Sequence, residues 1–66
     1  MTIEELSEKS LKIHSAYENE DVEGGNLLLD ELTYSFLESI ALKKCDSPGR
    51  MSNLLISLYD RKMGYA

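Results

Sequence analysis

Cysteine and histidine are almost missing from this sequence. Among 66 residues there is one cysteine, Cys45, and one histidine, His14. A single cysteine rules out an internal disulfide, and one residue of each kind is too few for a structural zinc site. A chain of this length buries only about 60% of its unfolded surface, so its stability is marginal without a further aid. We therefore expect no metal and no cofactor, and we expect contact with another protein or with a second copy as a homodimer.

Long hydrophobic runs are missing as well. Residues 1–12 place a few apolar side chains among charges, whereas a signal peptide has a continuous apolar segment. No apolar run approaches the roughly 20 residues that a membrane-spanning helix requires. A lone cysteine is typical of a reducing compartment. We expect a cytoplasmic protein without a membrane segment.

Positive charge is scarce in the first half of the chain. The formal net charge is −5, and residues 1–30 hold eight acids against two bases, whereas residues 31–66 hold four acids against five bases. An acidic chain has no general affinity for nucleic acid. The acidic half is expected to be a solvated surface, or a surface that meets a basic partner.

Helical periodicity dominates what is present, and the sequence predicts an all-α protein. Thr2 and Glu5 have the spacing of a capping box, and they predict a first helix over about residues 2–19. Ser47 followed by Pro48 predicts the start of a third helix over about 48–63, with Gly64 as the glycine that ends it. Short connections between the helices predict a three-helix bundle in a single domain over residues 1–66.

The start of the second helix has two interpretations. In one, Gly24-Gly25 breaks the chain and the helix begins near Leu27. In the other, Asp21 caps a helix that begins at Val22, and Gly25 lies on its packing face, where two helices approach closely. Acids in the first turn suit the helix dipole, so we favour the longer helix, about 22–44, as the long central element of the bundle.

Two apolar stripes on the second helix carry the functional prediction. A surface helix of a monomer normally has one apolar stripe. The first stripe is assigned to the core, and the second, Leu27, Tyr34, Leu37 and Ala41, is predicted to be a protein-interaction surface. Ile56 and Met63 on the third helix are predicted to extend it. The core is expected to contain Leu6, Ile13, Tyr17, Leu29, Leu32, Phe36, Ile40, Met51, Leu54, Leu55 and Leu58.

No group of residues has the spacing of a catalytic site. His14 has no neighbouring acid and nucleophile in a recognisable order. The acids around Asp21 lack the alternation and central glycine of a calcium loop. Cys45 has no second cysteine to resolve a disulfide. We therefore expect a protein without catalytic residues.

Residues 40–54 also suit a helix-turn-helix, which gives an alternative function as a DNA-binding regulator. Ile40, Met51 and Leu54 have the spacing that packs two such helices at a steep angle. Arg50 and Asn53 would then lie early in the second helix, where bases are read. Against this interpretation, turn positions that are normally apolar carry charges here, and nucleic-acid binding is not the favoured function.

Three segments carry a resemblance to a known family. Residues 20–23, 26–29 and 54–60 read EDVE, NLLL and LLISLYD. Together they resemble the last helices of flagellar export chaperones of the FliS type, which are helical bundles with an acidic turn and a terminal Leu-Tyr-Asp motif. The resemblance covers about 40 of the 66 residues, and that family has a longer chain with a further helix upstream. It implies a small helical protein that holds an apolar segment of another protein, and it identifies no flagellin site.

Taken together, these patterns predict a protein that works by contact with other proteins. The expected role is that of a small regulator, an inhibitor or a chaperone-like adaptor. The mechanism would be helix-on-helix or helix-in-groove docking. A homo-oligomeric structural subunit is a further alternative, because a second copy would cover the same stripe.

Overall fold

Three helices account for most of the chain in the computed structural model, which describes residues 1–64. They are α1 (Ile3–Glu18), α2 (Val22–Ala41) and α3 (Pro48–Met63). The described residues contain no strand, and the helices pack against one another, so the prediction of an all-α three-helix bundle is confirmed. None of these helices is both long enough and apolar enough to cross a membrane within residues 1–64.

The contacts between helix ends fix the direction of each helix. The terminal amine of Met1 donates a hydrogen bond to the carbonyl oxygen of Lys44 at 2.7 Å, which places the start of α1 beside the end of α2. Arg61 near the end of α3 lies 3.1 Å from the Nδ1 atom of His14 near the end of α1. Therefore α1 and α3 run in the same direction, and α2 runs opposite to both.

The beginning of α1 follows from a local hydrogen bond. The hydroxyl of Thr2 accepts the Glu5 amide hydrogen at 3.2 Å, as an N-cap residue does. The buried residues of α1 follow 4-3-4 steps along one face, and they are Leu6, Ser10, Ile13 and Tyr17. Of the three helices, α1 packs most extensively against both neighbours, while α2 is the longest at 20 residues.

The turn between α1 and α2 supports the longer of the two predicted forms of the second helix. The helix begins at Val22, and the carboxylate of Asp21 accepts the Gly24 amide hydrogen at 3.0 Å. Before it, Glu20 has a φ of 63°, and its amide and that of Asp21 bond to the carbonyls of Tyr17 and Ala16. This pair of bonds is a Schellman motif, which closes α1 and turns the chain within three residues.

Gly25 lies at a close approach between α1 and α2. It is buried, and a Cβ atom added there would lie 2.6 Å from Cε1 of the Tyr17 ring. The Tyr17 hydroxyl donates to Oδ1 of Asn26 at 2.7 Å and fixes the ring against the glycine. A side chain at position 25 would push the two helices apart, so the packing role predicted for this glycine is confirmed.

The carboxyl end of α2 differs from the prediction. The helix ends at Ala41, whereas Lys43 and Lys44 were expected within it. Lys43 has a φ of 57°, and the amides of Lys43 and Lys44 bond to the carbonyls of Ile40 and Ser39 at 3.0 and 2.8 Å. A second Schellman motif therefore ends the helix, here with a lysine at the left-handed position that glycine usually occupies.

The third helix has the predicted bounds but not both of the predicted caps. Pro48 is at its first position, and Ser47 is the N-cap residue without a side-chain hydrogen bond to the helix. Gly64 is the C-cap with a right-handed φ of −66°, so it does not have the left-handed conformation expected of a terminating glycine. The connection between α2 and α3 contains Cys45, which is half-buried and packs against the core.

The core lies between the three helices along their common axis. Its buried hydrophobic residues are Leu6, Ile13, Tyr17, Leu29, Leu32, Phe36, Met51, Leu55 and Leu58. Two residues of the predicted core differ. Leu54 is only partly buried, and Ile40 is 41% exposed because it lies in the last turn of α2, beyond Phe36, the last buried residue of that helix.

Candidate functional site

The outer face of α2, which we define as Leu27, Tyr34, Leu37 and Ala41, lies on the side of the helix away from the core. The core residues of α2 occupy the opposite side, from Gly25 to Phe36. The side chains of Leu27, Tyr34 and Leu37 are 62%, 76% and 58% exposed, and Ala41 is exposed as well. The structure therefore brings all four predicted residues onto one open face.

The spacing of these residues explains why they share a face. Leu27, Tyr34 and Ala41 follow one another at intervals of seven, and Leu37 lies three residues after Tyr34. Steps of three and four bring side chains onto one line of a helix, and the stripe rises about 21 Å along the axis. Such a line is the surface that a second helix occupies in a coiled coil.

A shallow depression lies in the middle of this face. Its walls are Tyr34, Leu37 and Glu38, and it is open to solvent. Apolar side chains beside an open hollow can receive a knob from a partner helix without any change in the fold. The depression places the centre of the candidate site at Tyr34 and Leu37.

Ile56 and Met63 lie next to this face on α3. The hydroxyls of Thr33 on α2 and Tyr59 on α3 are 2.8 Å apart, which fixes the level of the two antiparallel helices. Leu37 follows Thr33 by one turn, and Ile56 precedes Tyr59 by about one turn, so the two lie at the same level. Both Ile56 and Met63 are exposed.

The sequence did not assign four further exposed apolar residues to a surface. Ile40 was expected in the core, and Leu11, Leu28 and Leu42 were not assigned to the interaction surface, yet all four are exposed. Leu28 lines a groove between α1 and α2 together with Lys9 and Lys12. Leu42 lies directly after the last turn of α2. This position indicates exposure, because no neighbouring helix covers it there.

The polar clusters named by the sequence have structural partners. Nη1 of Arg61 lies 3.1 Å from Nδ1 of His14 and 3.7 Å from a carboxylate oxygen of Glu18. Because a guanidinium can only donate, Nδ1 of His14 is the acceptor, and the three residues link the ends of α1 and α3. The carboxylate of Asp21 caps α2. The contacts of these residues stabilise the fold.

The packing of α2 against α3 does not have the geometry of a helix-turn-helix. In that motif two helices joined by a three- to four-residue turn diverge at roughly 90–120°. Here residues 42–47 connect the helices. Thr33 and Tyr59 remain 2.8 Å apart although each lies more than two turns from that connection. The helices therefore lie side by side, and Arg50 and Asn53 line a groove against α1 with Ile3 and Ser7.

Comparisons of this chain with protein-family models, with curated proteins and with solved structures gave no match. The resemblance to flagellar export chaperones stays a prediction. The interpretation of the outer face of α2 consequently depends on the geometry described above.

Proposed function

We propose that this protein is a non-enzymatic interaction module of the cytoplasm, which binds a helix of another protein on the outer face of α2. The observation that supports the proposal is the second apolar stripe, which stays exposed after the core has been completed. Leu27, Tyr34 and Leu37 contribute nothing to the buried core. Their exposure therefore has a use outside the fold, as a regulator, inhibitor or chaperone-like adaptor would have.

The energy available at this face suits reversible binding. Complete burial of one large apolar side chain contributes roughly 1.5–3 kcal/mol, and three such residues are exposed here. The loss of rigid-body freedom on association costs at least about 4 kcal/mol. The remainder of at most about 5 kcal/mol corresponds to a weak affinity, with a Kd no lower than about 0.1 mM. Contacts from Ile56, Met63 or charged groups are therefore needed for tighter binding.

Site-specific photo-crosslinking in the native cell tests the proposal. A photoreactive phenylalanine analogue replaces Tyr34 in one variant and Leu11 in another, since Leu11 is an exposed residue of α1 outside the proposed surface. We expect a discrete covalent adduct with another protein from position 34 and none from position 11. Sedimentation of the purified protein shows separately whether the adduct is a second copy.

A matched pair of charge substitutions supplies the control. Leu37→Glu and Leu11→Glu place the same side chain on two helices, at positions 58% and 69% exposed in the native chain. Leucine and glutamate have similar helix propensities, so both variants should fold. Leu37→Glu should abolish the adduct and Leu11→Glu should keep it. A folded Leu37→Glu variant with an unchanged adduct from position 34 would show that apolar contact at Leu37 does not stabilise the complex.

A further inference from the structure

The charged side chains of α2 all have one sign. Residues 13–42 contain seven acids and neither lysine nor arginine. Four of these acids, Glu23, Asp30, Glu31 and Glu38, belong to α2, and all four are exposed. The candidate site therefore lies in the most acidic part of the chain.

The acids also lie at positions that a partner would meet. Asp30 is three residues after Leu27 and four before Tyr34, so it stands in the apolar row itself. Glu38 forms a wall of the depression with Tyr34 and Leu37. Glu31 flanks the row, and Lys9 and Lys12 lie across the groove between α1 and α2.

These charges disfavour a second copy as the occupant. In a two-fold symmetric dimer the same patch is used on both sides. Two such faces would bring Asp30, Glu31 and Glu38 near the same acids of the other copy, and like charges across an interface oppose association. An anionic lipid surface or a nucleic acid would meet the same repulsion.

Resting on the proposed function, we infer that the occupant of the outer face of α2 is a basic amphipathic helix of another protein. Its apolar stripe covers Leu27, Tyr34 and Leu37, and its lysines or arginines meet Asp30, Glu31 and Glu38. Apolar contact supplies most of the affinity, while the charges select the partner and speed its approach.

Two synthetic peptides of about 20 residues, long enough to form helix, provide the probe. Both have the same leucine stripe at heptad spacing, and the flanking positions are all lysine in one and all glutamate in the other. Binding to the full chain is followed by fluorescence anisotropy. We expect the lysine peptide to bind at least about tenfold more tightly at low salt, with the difference narrowing as salt screens the charges.

A charge-matched pair of variants separates local attraction from net charge. Glu31→Lys/Glu38→Lys and Glu8→Lys/Asp60→Lys change the net charge equally, and Glu8 and Asp60 are exposed residues of α1 and α3. The first variant should lose about tenfold in affinity for the lysine peptide and gain affinity for the glutamate peptide. The second should bind the lysine peptide as the original chain does to within about twofold, because its changes lie outside the site.

Three results would overturn the inference. If both peptides bind equally and Leu37→Glu abolishes both, the docking function stands and the charge selection is wrong. If neither peptide binds, the outer face of α2 does not bind a basic amphipathic helix. The crosslinking experiment then tests the docking function independently. If the chain alone sediments as a dimer that Leu37→Glu dissociates, the occupant is a second copy.

Discussion

Gly25→Ala is the substitution for which this structure makes the sharpest prediction. Alanine in a helix interior is normally favoured over glycine by about 1 kcal/mol. At position 25, however, the added Cβ would lie 2.6, 2.8 and 2.9 Å from three atoms of the Tyr17 ring. Such distances are well inside van der Waals contact, so either the ring or the helix must move.

Neither movement is easy. The Tyr17 side chain is completely buried, and its hydroxyl is held by Asn26 at 2.7 Å. Overpacking a well-packed site typically costs 1–3 kcal/mol, and contact with three ring atoms places this case near ~3 kcal/mol. After the propensity gain, the net loss in the free energy of unfolding should be about 2 kcal/mol. For a domain of this size, each kcal/mol lowers Tm by about 4–8 °C.

Thermal and urea unfolding, followed by far-ultraviolet circular dichroism, measures the effect. Gly49→Ala is the matched control, because a Cβ added at Gly49 meets no atom within 4 Å. That variant should be as stable as the original chain or more stable by up to about 1 kcal/mol. A Gly25→Ala variant that gains stability as Gly49→Ala does would refute the close-approach argument.

A double-mutant cycle tests whether the loss of stability in Gly25→Ala arises from contact with the Tyr17 ring. Tyr17→Leu removes the ring atoms nearest to Gly25 and destabilises the chain by leaving a cavity. In that background Gly25→Ala should be neutral or stabilising, because the added methyl group enters the vacated space. The coupling energy should then exceed about 1 kcal/mol, as for residues in direct contact. Additive effects would mean that the cost at Gly25 has another source.

Three further substitutions test single contacts by the same unfolding measurements. Ser10→Ala should stabilise the chain by about 1 kcal/mol, since the Ser10 hydroxyl is buried without a hydrogen-bond partner among the described residues; a loss would show that the hydroxyl is satisfied. Lys43→Gly should add about 0.5–1 kcal/mol by relieving a φ of 57°, while Lys43→Ala should add nothing. Tyr59→Phe should cost about 1 kcal/mol, because the Thr33 hydroxyl hydrogen is donated to the Leu29 carbonyl and Tyr59 must donate to Thr33; an unchanged stability would mean that water replaces this bond.

The helix starts were predictable because their causes are local in sequence. Thr2 and Asp21 each cap an amide three residues ahead, so a short stretch of sequence contains the whole interaction. The end of α2 was not predictable in the same way. Glycine or asparagine usually marks a left-handed terminus, and Lys43 gives no such signal. The sequence therefore predicts an α2 that is three residues too long, ending at Lys44 instead of Ala41.

Periodicity predicted which side of a helix faces the core, but not how far along the helix the core reaches. It assigned Leu29, Leu32 and Phe36 correctly, and it failed at Ile40 because burial there depends on the positions of α1 and α3. Ser10, a polar residue on the core-facing side of α1, is buried as well. The free-energy cost of burying the Ser10 hydroxyl can be judged only from the atoms that surround it.

The two apolar stripes of α2 differ in their exposure to solvent. Sequence alone leaves open whether the second stripe belongs to a helix enclosed by its own bundle. In the structure α1 packs most extensively against its neighbours, and α2 buries Leu29, Leu32 and Phe36 while the second stripe stays exposed. Asp30, Glu31 and Glu38 lie in or beside that stripe, and α2 contains no lysine or arginine. Because the core is complete without the second stripe, we expect substitutions at Leu37 to change the proposed binding and substitutions at Gly25 to change stability, so that the two properties can be separated in one small chain.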